Sequence, residues 1–147
     1  MRVYFDACCF SRLHDDQSQP RVRDEASCID RLFEMVVLRE IELISSEMLE
    51  DEVRRNPSVE QRKTAQSLLS FATVKILLSA SLMRRAETLK VAGYGAFDAY
   101  HIAAAEAANA DILMTTDDRM LSKAARGIGT PGIRIRNPLS WSKEQKS

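Results

Sequence analysis

A chain of 147 residues with 21 Lys and Arg against 21 Asp and Glu has no formal net charge, so no global field draws it to nucleic acid or to an anionic membrane. Its length fits one domain, residues 1–147, with a core of its own, and its 45% hydrophobic content is that of a globular protein. No apolar run reaches the length of a membrane span, and Asp6 interrupts the N-terminus before a signal sequence forms, so a soluble, cytoplasmic protein is expected.

Met1 to Phe5 reads as a strand with Asp6 at its end, and Ala7 to Leu13 as a short helix. His14 to Pro20 is polar and turn-like, the best candidate for a mobile loop. From Arg21, Val22, Ala26, Ile29, Leu32, Phe33, Val36 and Val37 recur at helical spacing. Ile41 to Ile44 is a strand, and Ser45 or Ser46 caps a helix running through Val53 to a stop at Asn56-Pro57. Ser58 starts another helix through Leu69 and Phe71. Thr73 to Leu78 is ambiguous, with strand-like alternation only at Val74-Lys75-Ile76. Ser79 or Ser81 opens a helix that Gly93 and Gly95 end.

The alanine-rich helix after Gly95 is read as beginning at Asp98, and Ile112-Leu113-Met114 is a strand leading into Thr115-Thr116-Asp117-Asp118 and more helix. Gly127 to Gly132 is a loop, Ile133-Arg134-Ile135 a last strand, and Ser142 to Ser147 a polar tail beyond Trp141. Strands alternating with helices imply an α/β fold, a parallel sheet flanked by helices. The cysteines Cys8, Cys9 and Cys28 fit neither a disulfide framework nor a C-x-x-C site, and are read as small buried hydrophobes.

The acids carry the chemistry. Ligands of open α/β sheets bind at the carboxyl ends of strands, where Asp6 and Asp117 fall. Asp98 lies on a helix that is apolar almost all round, with Ile102 and Ala105 on its own side. A buried carboxylate needs a partner or a metal, and acids arriving together repel one another. A divalent cation relieves both. The plainer alternatives are a turn or capping role for Asp6 and Asp117, and helix-dipole complementation for Asp98.

His101, one turn on, is read as a satisfied core residue bonded to a carbonyl, since hard cations prefer oxygen. Thr115 or Thr116 is placed to hydrogen-bond a carboxylate or a phosphate. Arg119, Lys123 and Arg126 share a helix near Asp117 and are candidates for a phosphate backbone.

These residues resemble the PIN domain family. D-A-x-H-x-A-x-A from Asp98, T-x-D ending at Asp117, and the strand ending at Asp6 match its motifs in order and spacing across nearly the whole chain. The resemblance implies a PIN-like fold and a metal-dependent nuclease. Bacterial VapC-type toxins are prominent single-domain members, which implies an endoribonuclease acting on RNA as the toxin of a type II toxin–antitoxin pair. It also implies a small antitoxin covering the acidic site, and dimerisation is common in the family.

On this likeness Asp6, Glu52, Asp98 and Asp117 bind one or two Mg²⁺ or Mn²⁺ ions, with Asp118 assisting Asp117 through a water. Glu52 is chosen over Glu47 and Glu50 because the family's S-x5-E-[LIV] pattern, counted from Ser46, falls on it. Helical geometry agrees: Glu52 lies roughly 40° from the centre of the face made by Met48, Leu49 and Val53, and Glu50 roughly 120° away.

Other readings are weaker. A haloacid-dehalogenase-like phosphatase needs Asp-x-Asp where this chain has Asp6-Ala7-Cys8, and a receiver domain needs a second acid after its first strand. A catalytically silent module that only binds RNA or protein is the alternative from another class.

Overall fold

The computed structural model describes residues 1–146. Apolar runs too short for helices make the inner strands: β1 (Arg2–Phe5), β2 (Glu42–Ser46) and β4 (Ile112–Met114), whose central side chains are sealed from solvent. Side chains alternate between the faces, so Phe5 stacks edge-on against Phe33 while Tyr4 turns to the opposite face and meets His101. The outer strands, β3 (Val74–Ile76) and β5 (Arg134–Arg136), have three residues each and carry Lys75, Arg134 and Arg136. Short, charged edges discourage pairing with another chain.

Caps begin most of the helices. Asp6 caps α1 (Ala7–Arg12), Ser46 caps α3 (Glu47–Arg54), Ser58 caps α4 (Val59–Leu69), Ser79 caps α5 (Ala80–Ala92) and Asp117 caps α7 (Asp118–Ala125). Pro20 fills the first position of α2 (Pro20–Val37). The remaining helices are α6 (Ala96–Ala107) and α8 (Pro138–Lys146).

All strand pairs are parallel, in the order β3-β2-β1-β4-β5. The chain winds outward from β1 to β3, then returns through α5 and α6 to the far side of β1. Right-handed crossovers therefore put α2 and α4 on one face and α6 and α7 on the other. The reversal opens a crevice at the carboxyl ends of β1 and β4, where Phe5 pairs with Met114. Among the described residues no helix is long and apolar enough to cross a membrane.

Three sequence expectations are corrected. The alanine-rich helix begins at Ala96, because Gly95 serves as its cap, and Asp98 sits in its first turn. The C-terminal tail is helical through Lys146: Asn137 accepts the N–H groups of Leu139 and Ser140, Pro138 occupies the first turn, and the helix packs on α2. Ser147, the last residue of that tail, lies outside the described residues. The last strand runs Arg134–Arg136, one residue later than expected, because its register follows β4. Thr73 to Leu78, ambiguous alone, yields β3 through pairing with β2.

The loop after α7 closes against α5. Gly127 and Gly129 both have left-handed backbones, and Arg85 donates to the carbonyls of Gly129 and Thr130. A Cβ on Gly127 would meet nothing within 4 Å, whereas one on Gly129 would come within 2.8 Å of Leu89 and 3.3 Å of Tyr94. Gly127→Ala should cost about 1–2 kcal/mol from backbone conformation. Gly129→Ala should lose about 1–3 kcal/mol more from overpacking. Urea midpoints at constant m-value read both, and equal losses would show that Leu89 and Tyr94 yield freely.

Candidate metal centre

Asp6 continues the ladder beyond β1, its N–H donating to the Met114 carbonyl at 3.0 Å. That pins its carboxylate in the crevice, only 6% exposed. Oδ1 accepts the Ala7 N–H at 2.8 Å and Oδ2 accepts the Thr115 hydroxyl at 2.9 Å. Thr115 in turn accepts the Asp117 N–H at 3.0 Å, so one threonine ties the ends of β1 and β4 together. Asp117 Oδ1 caps α7 through the N–H groups of Arg119 and Met120. The Cys8 thiol leans on the same cluster, 3.4 Å from Asp6 Oδ2.

Glu52 reaches in from α3 and meets His101 Nε2 at 2.7 Å, and that nitrogen lies 3.8 Å from Asp6 Oδ1. Asp6, Glu52 and His101 each offer a ligand atom, all within 4.8 Å of one another. Asp98 stands half-buried beside them. Burial first, then the charges of Asp6 and Asp117, push its carboxyl up to about 6, against the opposing pull of His101 and Lys123. Burial alone would lower His101, but its bond to Glu52 and the charges of Asp6, Glu52 and Asp98 more than offset this and raise it.

Two acids shielded elsewhere in the fold are neutralised. Glu25, fully buried on α2, lies 3.2 Å from Arg12 Nε and 3.4 Å from Arg21 Nε, and Glu106 lies 2.8 Å from Arg85. Among the described residues Asp6, Glu52, Asp98 and Asp117 form no ion pair with Lys or Arg. The set consists of hard oxygens with lone pairs to spare and uncompensated negative charge. A divalent oxygen-seeking cation fits it.

The other acids of the α3 run turn elsewhere. Glu47 accepts the Leu78 N–H, Glu50 pairs with Lys75, and Asp51 pairs with Arg54 and Arg55. Glu52 is the member of the run that meets Asp6.

The expected role for Asp118 needs correction. It points out of the crevice to a two-pronged bond with Arg21, at 2.6 and 2.9 Å, and that guanidinium holds its carboxyl below the usual range. His101 is a core residue as expected, but its partners are a phenol and a carboxylate rather than a carbonyl, because Tyr4 and Glu52 flank its ring. Of the basic trio on α7, Lys123 donates to the Gly93 carbonyl and Arg126 to that of Ser122, leaving Arg119 exposed at the first turn.

Tyr4 and Ser46 escaped the sequence reading as members of the site. Tyr4 left one signal: a tyrosine inside a buried strand needs a partner for its hydroxyl.

The PIN domain family model matches residues 3–127. No curated protein matches the chain. Among solved structures it is similar to the "Crystal structure of VapBC2 from Rickettsia felis bound to a DNA fragment from their promoter", with a TM-score of 0.57 and 17% sequence identity. That match covers 93% of this chain and 98% of the other, and at this identity the likeness is one of fold.

The raised carboxyl of Asp98, set by burial and then by the neighbouring charges, has a pH signature. Its folded-state value of about 6 lies above the ordinary 3.8, so the metal-free native state holds the proton more tightly than the unfolded chain. Stability from this group is therefore present below about pH 4 and lost as pH rises to about 6. In EDTA, Asp98→Asn should melt above wild type near neutral pH, and the gap should close near pH 4. A gap of the same size at both would show that the Asp98 carboxyl is not raised in the fold.

Proposed function

This chain belongs to the PIN domain family, and on that premise we propose that it is a metal-dependent endoribonuclease, the toxin of a type II toxin–antitoxin pair. The observation that carries the reading is the meeting of Asp6 and Glu52 at the switch point, with Asp98 and Asp117 beside them and, among the described residues, no Lys or Arg ion-paired with any of the four. Those four residues would hold one or two Mg²⁺ or Mn²⁺ ions. Bound there, a divalent ion stabilises charge on phosphodiester oxygens and acidifies a water for attack.

The chain's own groups keep the carboxylates in place. Thr115 and the Ala7 N–H fix Asp6, the first turn of α7 fixes Asp117, and His101 fixes Glu52. Each fixed acid keeps lone pairs for a ligand. No side-chain nucleophile is required, because water is the attacking group.

The toxin role draws support from the likeness in fold to VapBC2 of Rickettsia felis. On that analogy the partner is a small antitoxin protein; the resemblance to VapC-type toxins implies further that it lays a segment over the acidic crevice and that the toxin is a homodimer.

Purified protein should cut RNA in Mg²⁺ or Mn²⁺ and stop in EDTA. Asp6→Asn should stay folded and cut nothing. A cation at roughly 100 times its dissociation constant adds about 2.7 kcal/mol to native stability, so Mn²⁺ should also raise the melting temperature of the wild type. A chain that takes up Mn²⁺ without cutting RNA would be a binding module, and Asp6→Asn cutting at the wild-type rate would remove Asp6 from the site.

A further inference from the structure

On distance alone His101 passes as a third ligand beside Asp6 and Glu52. The hydrogen bonds around it point elsewhere. We propose that His101 is a positioning residue and not a ligand: Ser46, Tyr4 and His101 form one directed chain that delivers the Nε2–H to Glu52 and holds that carboxylate beside Asp6. The proposal rests on the metal site argued above.

The direction follows from counting protons. Ser46 Oγ accepts the Leu49 N–H at 3.1 Å as the cap of α3, and the residue is only 2% exposed. Its own hydroxyl proton needs an acceptor, and Tyr4 Oη stands 2.7 Å away. Tyr4 therefore gives its proton to His101 Nδ1, at 2.6 Å. An Nδ1 that accepts puts the ring proton on Nε2.

The other end of the chain gives the same answer. Nε2 lies 2.7 Å from Glu52 Oε1, and an ionised carboxylate only accepts. The opposite tautomer would set two lone pairs against each other there. It would also strand a buried hydroxyl proton on Ser46, at a cost of about 1–3 kcal/mol. A doubly protonated ring would keep the same Nε2–H, but its Nδ1–H would turn Tyr4 back toward Ser46 and strand that same hydroxyl proton. In the one satisfied arrangement the nitrogen nearest the acids has no lone pair for a metal.

The members come from separate elements: Ser46 ends β2, Tyr4 lies on β1, His101 on α6 and Glu52 on α3. Glu52 is 30% exposed and has three rotatable bonds, so it needs an anchor to stay aimed at Asp6. The anchor occupies Oε1 and leaves Oε2 for the ligand. Partners that orient a metal ligand typically influence affinity by about 10–100-fold.

The proton can be placed directly. The chain has two histidines, His14 and His101, so a ¹⁵N-histidine spectrum resolves the ring with a His14→Gln control. His101 should show a protonated Nε2 in the metal-free chain and keep that proton when Mg²⁺ is added. In calorimetry His101→Gln, whose amide also offers a donor toward Glu52, should keep most of the Mn²⁺ affinity. His101→Ala should lose about 10–100-fold, and Tyr4→Phe about 10-fold.

Loss of the Nε2 proton on Mg²⁺ binding would overturn the proposal, as would equal losses in the Gln and Ala variants. Should the wild type take up neither ion, the nuclease reading falls, whereas a bare Nε2 in the metal-free chain refutes the hydrogen-bond chain itself.

Discussion

Like charge gathered at one end of a parallel sheet is the constraint to which the rest of this structure answers. The reversal of strand order beside β1 creates the crevice, and Asp6 and Asp117 enter it as the residues that follow neighbouring strands. Neither stands free. Each commits one oxygen to the first turn of the next helix, so the capping alternative and the metal-site reading describe the same side chain. Thr115 accepts from the backbone at Asp117 and donates to Asp6, which sets the distance between β1 and β4 where it matters. The contrast with Glu25 is instructive: buried more deeply, it is flanked by two arginines. The fold pairs the buried Glu25 with arginine and leaves the acids of the crevice without a Lys or Arg partner among the described residues.

What the sequence made legible was local. Asp6 follows a short apolar run, Ser46 caps the next helix as expected, and the helical angle together with the family's pattern points to Glu52, which meets His101 while Glu50 pairs with Lys75. What it hid depends on distant partners. His101 reads as a core residue on its helix, and nothing near it in the chain announces Tyr4, 97 positions away, or Glu52, 49 away. Asp118 lost its expected role to Arg21, likewise 97 positions distant. Val74–Ile76 is strand because β2 supplies an edge for it to join.

Two misreadings were of another kind, since the signals were present. Asn137-Pro138 is a cap followed by a first-turn proline, a signal that carries helix into the residues expected to form a polar tail. Gly95 caps the alanine-rich helix without a side chain, so the first acid in view, Asp98, was mistaken for its start.

Net neutrality gives the acidic crevice a further meaning. A polyanionic substrate finds no long-range attraction here, and the crevice by itself repels it. On the nuclease reading, the same cation that serves the chemistry also admits the phosphate, with Arg119 exposed at the first turn of α7.

The central position of β1 also sets a schedule. Val3 pairs with Ile112, and the Arg2 N–H reaches Asp111 at 2.7 Å, across 109 positions of sequence. During synthesis Asp6 and Glu52 leave the ribosome long before the strand that completes their crevice. A nascent chain that has not yet released β4 lacks Thr115 and Asp117, and its first strand has an open side. The quartet of acids therefore comes together only once β4 and the segment after it have emerged, and a ribosome carrying a shorter copy carries no assembled centre.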